Sequence, residues 1–358
     1  MTNFKNILII KLSSIGDVVH ALPFLEVMKN SYPDSKIDWL VEEEASQVIS
    51  GHPAINRVII SKRKSWEKEI PNPYKFTKVY SEVAGFYKEL KSSSYDIVVD
   101  LQGLFRSGFL AALSRGKRKV GMSGGREGAP FFLKEPPVPV DYDQHAIDRY
   151  LKVASYLGCD TGMFSGTIPV SEEDKKKAEK IIFSAGGDKK IIAINPMAKW
   201  PTKLWEADKF SELALRLEKE MDCRVIFTGS GQDRPVIDEI IKMMKQPDNE
   251  AGPVNLAGRT SLKELAYLYS RCSLLVCTDT GPMHIAAAMG CRVVALFGPT
   301  SPLRTGPYGT GHKVIRSGSD CSPCFKKECG DVKCMKDITV DMAFDAVSKI
   351  LLEKVSSN

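Results

Sequence analysis

What most restricts the fold is a unit that recurs along the chain. A short apolar run of strand length is followed by a polar turn, and then by a stretch with helical spacing. The first copy is Ile7-Leu-Ile-Ile-Lys-Leu12, then Ser13-Ser-Ile-Gly-Asp17, then Val18-Val-His-Ala-Leu-Pro-Phe-Leu25. Parallel strands need a crossover, usually helical, to bring the chain back, so this alternation predicts parallel sheets of βαβ units. Further strands are expected at 36–41, 57–60 and 95–101. The Pro-rich stretch 135–140 cannot be a central strand. A second series follows at 191–195, 224–229, 273–278 and 292–297. Helix starts are marked by the acidic first turn of Ser171-Glu-Glu-Asp174 and by the capping-box spacing of Ser261 and Glu264.

At 358 residues the chain exceeds what one core usually serves. The expected class is α/β, with two Rossmann-like domains facing across a cleft and the boundary between Asp160 and Lys189. Hydrophobic residues at 43% and charged residues at 26% are ordinary for a globular protein. The net charge of +6 favours an anionic partner without naming one. No apolar run reaches the roughly 18 residues of a membrane span. The first run is also too short for a signal-peptide core and has no cleavage site after it. Five of the nine cysteines fall in or beside expected helices and strands, as buried thiols do, which favours the cytoplasm.

Open α/β sheets bind ligands at the carboxyl ends of their strands. That makes Asp17 the leading candidate for the reacting group. A second polar strand-to-helix turn runs from Gln102 to Ser107 and carries Arg106. The basic run Ser61–Lys68, with Lys62, Arg63 and Lys64, reads either as a solvated loop or as an anion site, and Arg126 lies in a glycine loop. In the second half, Thr278 is followed by Asp279-Thr280-Gly281-Pro282-Met-His284. Pro282 suits a helix start, so Gly281 would sit beside exposed N–H groups able to cradle a diphosphate. Asp279 can accept hydrogen bonds from sugar hydroxyls and His284 can touch phosphate, or the two can be a cap and a packing residue. Lys199 and Lys203 follow another strand end, and Asp233 a glycine turn. The segment 229–235 lacks a dinucleotide fingerprint, which weakens a dehydrogenase reading. Cys321, Cys324, Cys329 and Cys334 are spaced as a tetrahedral zinc site can be, or form a thiol-rich loop. A nucleotide or nucleic-acid binder using such a zinc site is therefore the rival from another class.

Taken together, the motifs resemble glycosyltransferase family 9, the lipopolysaccharide heptosyltransferases, over nearly the whole chain. Lys11–Pro23 is similar to the family's N-terminal signature. Asp38–Glu43, Asp100–Gly103, Asn255–Leu262, Asp279–Gly281 with His284, and Phe297–Thr300 match others in order. The resemblance implies a GT-B fold: an acceptor domain at 1–168 and a donor domain at 169–338, with the helix at 339–355 packing back on the first. It implies heptose transfer from an ADP-heptose co-substrate, with inversion and with no metal or cofactor. By matched position, Asp17 would be the general base. Lys203 would serve the diphosphate, Asp233 the ribose and Thr260 the adenine, with Asp279, Gly281 and His284 on sugar and phosphates; Lys199 and Thr280, beside them in sequence, are further candidate donor contacts. The acceptor would meet Ser14, Gly16, Lys62, Arg63, Lys64, Gln102, Arg106 and Arg126. The stretch 38–43 leans toward the first heptosyltransferase, which adds to the Kdo of Kdo-lipid A. The cysteine segment is more like the second. The chain would rest on the cytoplasmic face of the inner membrane, with no nucleic-acid partner.

Overall fold

The computed structural model describes residues 3–186, 189–244 and 252–352. The chain divides into two compact units, Met1–Pro169 and Val170–Asn358. The first holds a sheet of β1 (Asn6–Ile10), β2 (Lys36–Glu42), β3 (Arg57–Ser61), β4 (Ser94–Asp100) and β5 (Arg115–Gly121). Its spatial order is β3-β2-β1-β4-β5 and every pairing is parallel. Helices cover both faces, so residues on either side of β1 are buried. Leu8 and Ile10 join Leu40, Ile59 and Val98 in a core capped by Trp66, Val79, Phe86, Leu90 and Leu110. Ile7 and Ile9 point to the other face, where the helix Leu22–Ser31 packs on the helix Ala146–Tyr156.

The basic run Arg115–Lys119 belongs to β5, an edge strand. Lys117 pairs with Asp96 at 2.9 Å, and the Arg118 guanidinium forks onto Glu135 at 2.6 and 2.8 Å. Charge on an edge strand blocks pairing with another chain, which explains a strand with so little apolar content.

The second unit holds β6 (Lys190–Asn195), β7 (Cys223–Phe227), β8 (Val254–Asn255), β9 (Leu274–Thr278), β10 (Val293–Leu296) and β11 (Lys313–Ile315). Their order is β11-β10-β9-β6-β7-β8, again all parallel. Both expected caps form: Ser171 accepts from the Asp174 N–H, and Ser261 from the Glu264 N–H.

The helix Val340–Leu352 packs within the second unit, against the helix Ala207–Glu220 and strands β9, β10 and β11. Its stripe Val340, Ala343, Phe344, Val347 and Ile350 is buried in the second core. Arg292 also donates to the Ile350 carbonyl, and Arg216 stacks on Phe344 at 4.1 Å. An apolar stripe is buried where a matching surface is closest, and here its own sheet offers one. Residues 353–355 of the expected helix lie outside the described residues.

Glu26 ties the helix Leu22–Ser31 to the end of the first unit. It accepts from the Ser165 N–H at 2.7 Å, the Ser165 hydroxyl at 3.0 Å and the Gly166 N–H at 3.0 Å, with His52 3.8 Å away. Burial alone would raise its pKa, but these donors outweigh it and hold the carboxyl at about 2. A folded-state pKa below the ordinary value stabilises above about 4.5, and the contribution is lost as pH falls toward about 2. Glu26→Gln is therefore expected to cost about 2 kcal/mol at neutral pH. Urea unfolding at pH 7 and again near pH 3 checks this; the gap between variant and parent should narrow at the lower pH.

Candidate functional site

Each sheet has one place where the strand order reverses, and there the loops after adjacent strands diverge and leave a crevice at the carboxyl ends. In the first sheet that place lies between β1 and β4. Gln102, just past β4, spans it: its Oε1 accepts from the N–H groups of Leu12 and Ser13, both at 3.2 Å. The turn behind Gln102 is held by Asp100, which accepts from the Gln102 and Gly103 N–H groups at 2.8 and 3.1 Å and from the Ser107 hydroxyl at 2.9 Å. Burial still pushes the Asp100 carboxyl up.

Asp17 sits in the first turn of the helix Ile15–His20. Its Oδ2 accepts from the Ser14 N–H at 3.0 Å and the Ser14 hydroxyl at 2.9 Å. Its Oδ1 lies 3.9 Å from the Lys11 ammonium, and the side chain is 39% exposed. Lys11 itself is buried, donates to the Leu101 carbonyl at 3.2 Å and lies 5.1 Å over the Tyr150 ring. Burial opposes its charge, but Tyr150 and Asp17 outweigh that and its pKa is raised. A solvent-reachable carboxylate thus stands over a fixed cation.

Arg106 donates to the Ser13 hydroxyl and to Glu42, both at 2.9 Å. Arg63 donates to the same Glu42 oxygen at 3.2 Å and to Glu67 at 2.7 Å. Lys64 pairs with Glu44, while Lys62 is exposed. The helix Arg63–Glu69 replaces the solvated loop that a charge run suggests. Glu42 Oε2 and Arg106 Nε are buried with no hydrogen-bond partner among the described residues, and native interiors rarely tolerate such atoms. Ser14, Gly16, Asp17, Gln102 and Arg106 therefore converge on one crevice. Arg126 is exposed on a loop anchored by its N–H to the Gly103 carbonyl at 2.9 Å.

The second switch point lies between β6 and β9 and is bridged in the same way. Lys203, in the short turn Pro201–Lys203 after β6, donates to Asp279 Oδ2 at 2.6 Å. Asp279, just past β9, is 7% exposed and also accepts from the Thr300 hydroxyl at 2.7 Å. Lys203 lies 4.5 Å over the Trp200 ring, which Lys327 approaches at 5.4 Å. The helix Gly281–Ala288 starts here behind Thr280, one residue earlier than Pro282 suggests, and buries His284. The hydroxyl of Thr278 beneath it is buried without a partner among the described residues. Lysine ammonium and helix N–H groups together suit a polyanion.

Asp233 folds back on its own turn, its Oδ2 accepting from the Ser230 N–H and hydroxyl at 2.7 Å each. This turn touches the one that leads to Thr260: a Cβ on Gly258, whose φ is +71°, would lie 2.6 Å from the Gly231 Cα. Lys199 is exposed beside Trp200. Burial pushes the Cys334 thiol up, and Cys321, Cys324 and Cys329 lie near enough to push it the same way. Cys321 and Cys329 are exposed and Cys334 is buried in the core. Among the described residues no three His, Cys, Asp or Glu side chains group so as to hold an ion. The sequence reading missed Lys11, Glu42, Thr300 and Lys327 as site residues. Two left a signal: Lys11 is a charge inside an apolar run, and Glu42 opens an acidic triplet at the end of β2.

Comparison with known proteins adds context. The family model described as "Glycosyltransferase family 9 (heptosyltransferase)" matches residues 83–334. A lipopolysaccharide heptosyltransferase 1 of Pseudomonas aeruginosa is 30% identical, over 90% of this chain and 87% of its own. A lipooligosaccharide heptosyltransferase 2 of Haemophilus influenzae is 28% identical, over 97% of this chain and 99% of its own. Among solved structures, the E. coli heptosyltransferase WaaC with ADP-2-deoxy-2-fluoro heptose superposes with a TM-score of 0.74 at 25% identity, covering 96% of this chain and 99% of that one. The GT-B architecture implied by the motifs is the one these solved relatives share.

Proposed function

Since this chain belongs to glycosyltransferase family 9, the heptosyltransferases, we propose that it moves heptose from ADP-L-glycero-D-manno-heptose onto the inner core of lipopolysaccharide, with inversion and without a metal. The observation that carries this reading is the Asp17 carboxylate, half-exposed at a switch point and held by Ser14 and Lys11. Asp17 takes the proton of an acceptor hydroxyl, the oxygen attacks the anomeric carbon, and ADP leaves. A positioned base contributes typically about 10²- to 10⁴-fold. Lys203 and the N-terminal turn at Gly281 stabilise the charge that develops on the departing diphosphate. Asp279 fixes Lys203 and serves the donor sugar, with His284 beside it. Asp233 takes the ribose and Thr260 the adenine. Gln102, Arg106, Arg63 and the loop of Arg126 recognise the acceptor.

The first-choice acceptor is the Kdo of Kdo-lipid A, at the cytoplasmic face of the inner membrane. A second reading, addition of the second heptose, is favoured by the type 2 relative that matches nearly end to end. A transfer assay pairing ADP-heptose with Kdo-lipid A and with heptosyl-Kdo-lipid A, read by mass, decides between them. One heptose added to Kdo-lipid A alone is the expected result. Transfer only to the heptosylated acceptor would move the chain to the second reading, and transfer to neither would remove both.

A further inference from the structure

We propose that the carboxyl edge of the first sheet docks on an anionic lipid bilayer through exposed aromatic rings set among lysines. The inference rests on the reading of the acceptor as lipid-linked, and names the surface that would bring the enzyme to it.

Two aromatic patches lie at that edge. The helix Phe76–Leu90 connects β3 to the parallel β4, so it runs against the strands and starts at their carboxyl ends. Its last turns bury Phe86 and Leu90 in the core, whereas its start exposes Phe76 and Tyr80, which share one helical face. Ile70 and Tyr74, the latter 94% exposed, continue the patch ahead of it. The helix Phe105–Leu113 begins at the same edge, after β4. Phe105 and Phe109 lie parallel 6.2 Å apart, and Phe132 meets both edge-on at 5.4 and 6.4 Å. Phe131 stands beyond them, 90% exposed. Arg63, from the helix Arg63–Glu69, and Arg106, from the helix Phe105–Leu113, meet on Glu42, and Arg106 reaches Ser13 beside the proposed base.

Charge selects the partner. From Lys62 to Tyr80 there are six basic residues against two acidic ones. Glu67 and Glu69 are engaged by Arg63, Lys75 and Lys78, and Lys62 and Lys68 have no ion-pair partner among the described residues. Aromatic rings interleaved with lysines match the headgroup region of a bilayer, where rings sit at the interface and ammonium groups meet lipid phosphates. The core of a protein interface would be poor in lysine instead. No helix among the described residues is long and apolar enough to cross a membrane, so the contact proposed is a surface one.

The test is sedimentation of the full chain with vesicles of phosphatidylcholine alone and of phosphatidylcholine with about one third phosphatidylglycerol. Binding should require the anionic lipid and weaken with salt. The triple variant Tyr74→Ser, Phe76→Ser, Tyr80→Ser should bind at least about tenfold more weakly, and Lys68→Gln about fivefold. Both should melt like the parent and transfer heptose normally to an acceptor stripped of its acyl chains. Unchanged vesicle binding by the triple variant would overturn the surface. So would a parent dimer that dissociates in the triple variant while vesicle binding persists, since the rings would then serve a second copy. Loss of every heptose transfer with lipid binding intact would instead remove the proposed reaction and leave the docking surface standing.

Discussion

Asp17→Asn is expected to lower kcat by about 10²- to 10⁴-fold, with a smaller loss of folding stability because the buried Lys11 loses a countercharge 3.9 Å away. The asparagine keeps the size of the side chain and an oxygen able to accept from the Ser14 N–H and hydroxyl, the bonds that now hold Asp17 in place. Asn and Asp are also comparable in polar turns at helix starts. What the amide cannot do is take a proton. Because ADP and the donor are assigned to the second unit, nucleotide affinity should stay at the parent value. The measurement is steady-state transfer with both substrates varied, together with a thermal melt and an ADP titration. A folded variant with near-parent kcat would end the assignment of Asp17 as the base.

The second large effect belongs to Lys203. Lys203→Met removes the cation facing Asp279, and is expected to lower kcat by about 10²- to 10³-fold through lost stabilisation of the leaving diphosphate. It should also cost about 3–5 kcal/mol of stability, because a buried carboxylate is left without its partner. The two losses separate in the double variant Lys203→Met, Asp279→Leu. Replacing both members of a buried pair by apolar side chains is often near neutral for stability, so the double variant should regain most of its melting temperature and none of its turnover. If turnover returned with stability, the pair would be a structural support and not part of the chemistry.

The fold was readable because each strand announces itself locally. Tyr95–Leu101 and Ser273–Thr278 are apolar runs closed by polar turns, and parallel strands buried on both faces look like that. The edge strand β5 was harder: its open side lets Arg115, Lys117 and Arg118 sit at or near solvent, so its composition resembles a loop. Among the candidate site residues, Asp17, Gln102, Lys203 and Asp279 could be picked out from sequence because they follow strand ends, where open sheets place their ligands. Glu42 was not. Its role depends on Arg63 and Arg106 arriving from elements 21 and 64 residues away, and no local pattern encodes that meeting. The C-terminal stripe was read correctly as an amphipathic helix. Which sheet it covers is a tertiary choice that periodicity does not contain.

The burial of the helix Val340–Leu352 in the second core has a consequence for how the protein comes into being. The first unit is complete once Pro169 has been made, and can fold while synthesis continues. The second must wait. Until Phe344, Val347 and Ile350 emerge, β9, β10 and the helix Ala207–Glu220 have an uncovered apolar seam, a nascent surface that invites aggregation or a holding chaperone. A premature stop before Val340 would therefore do more than shorten the chain. It would leave a finished N-terminal half joined to a C-terminal half that cannot close.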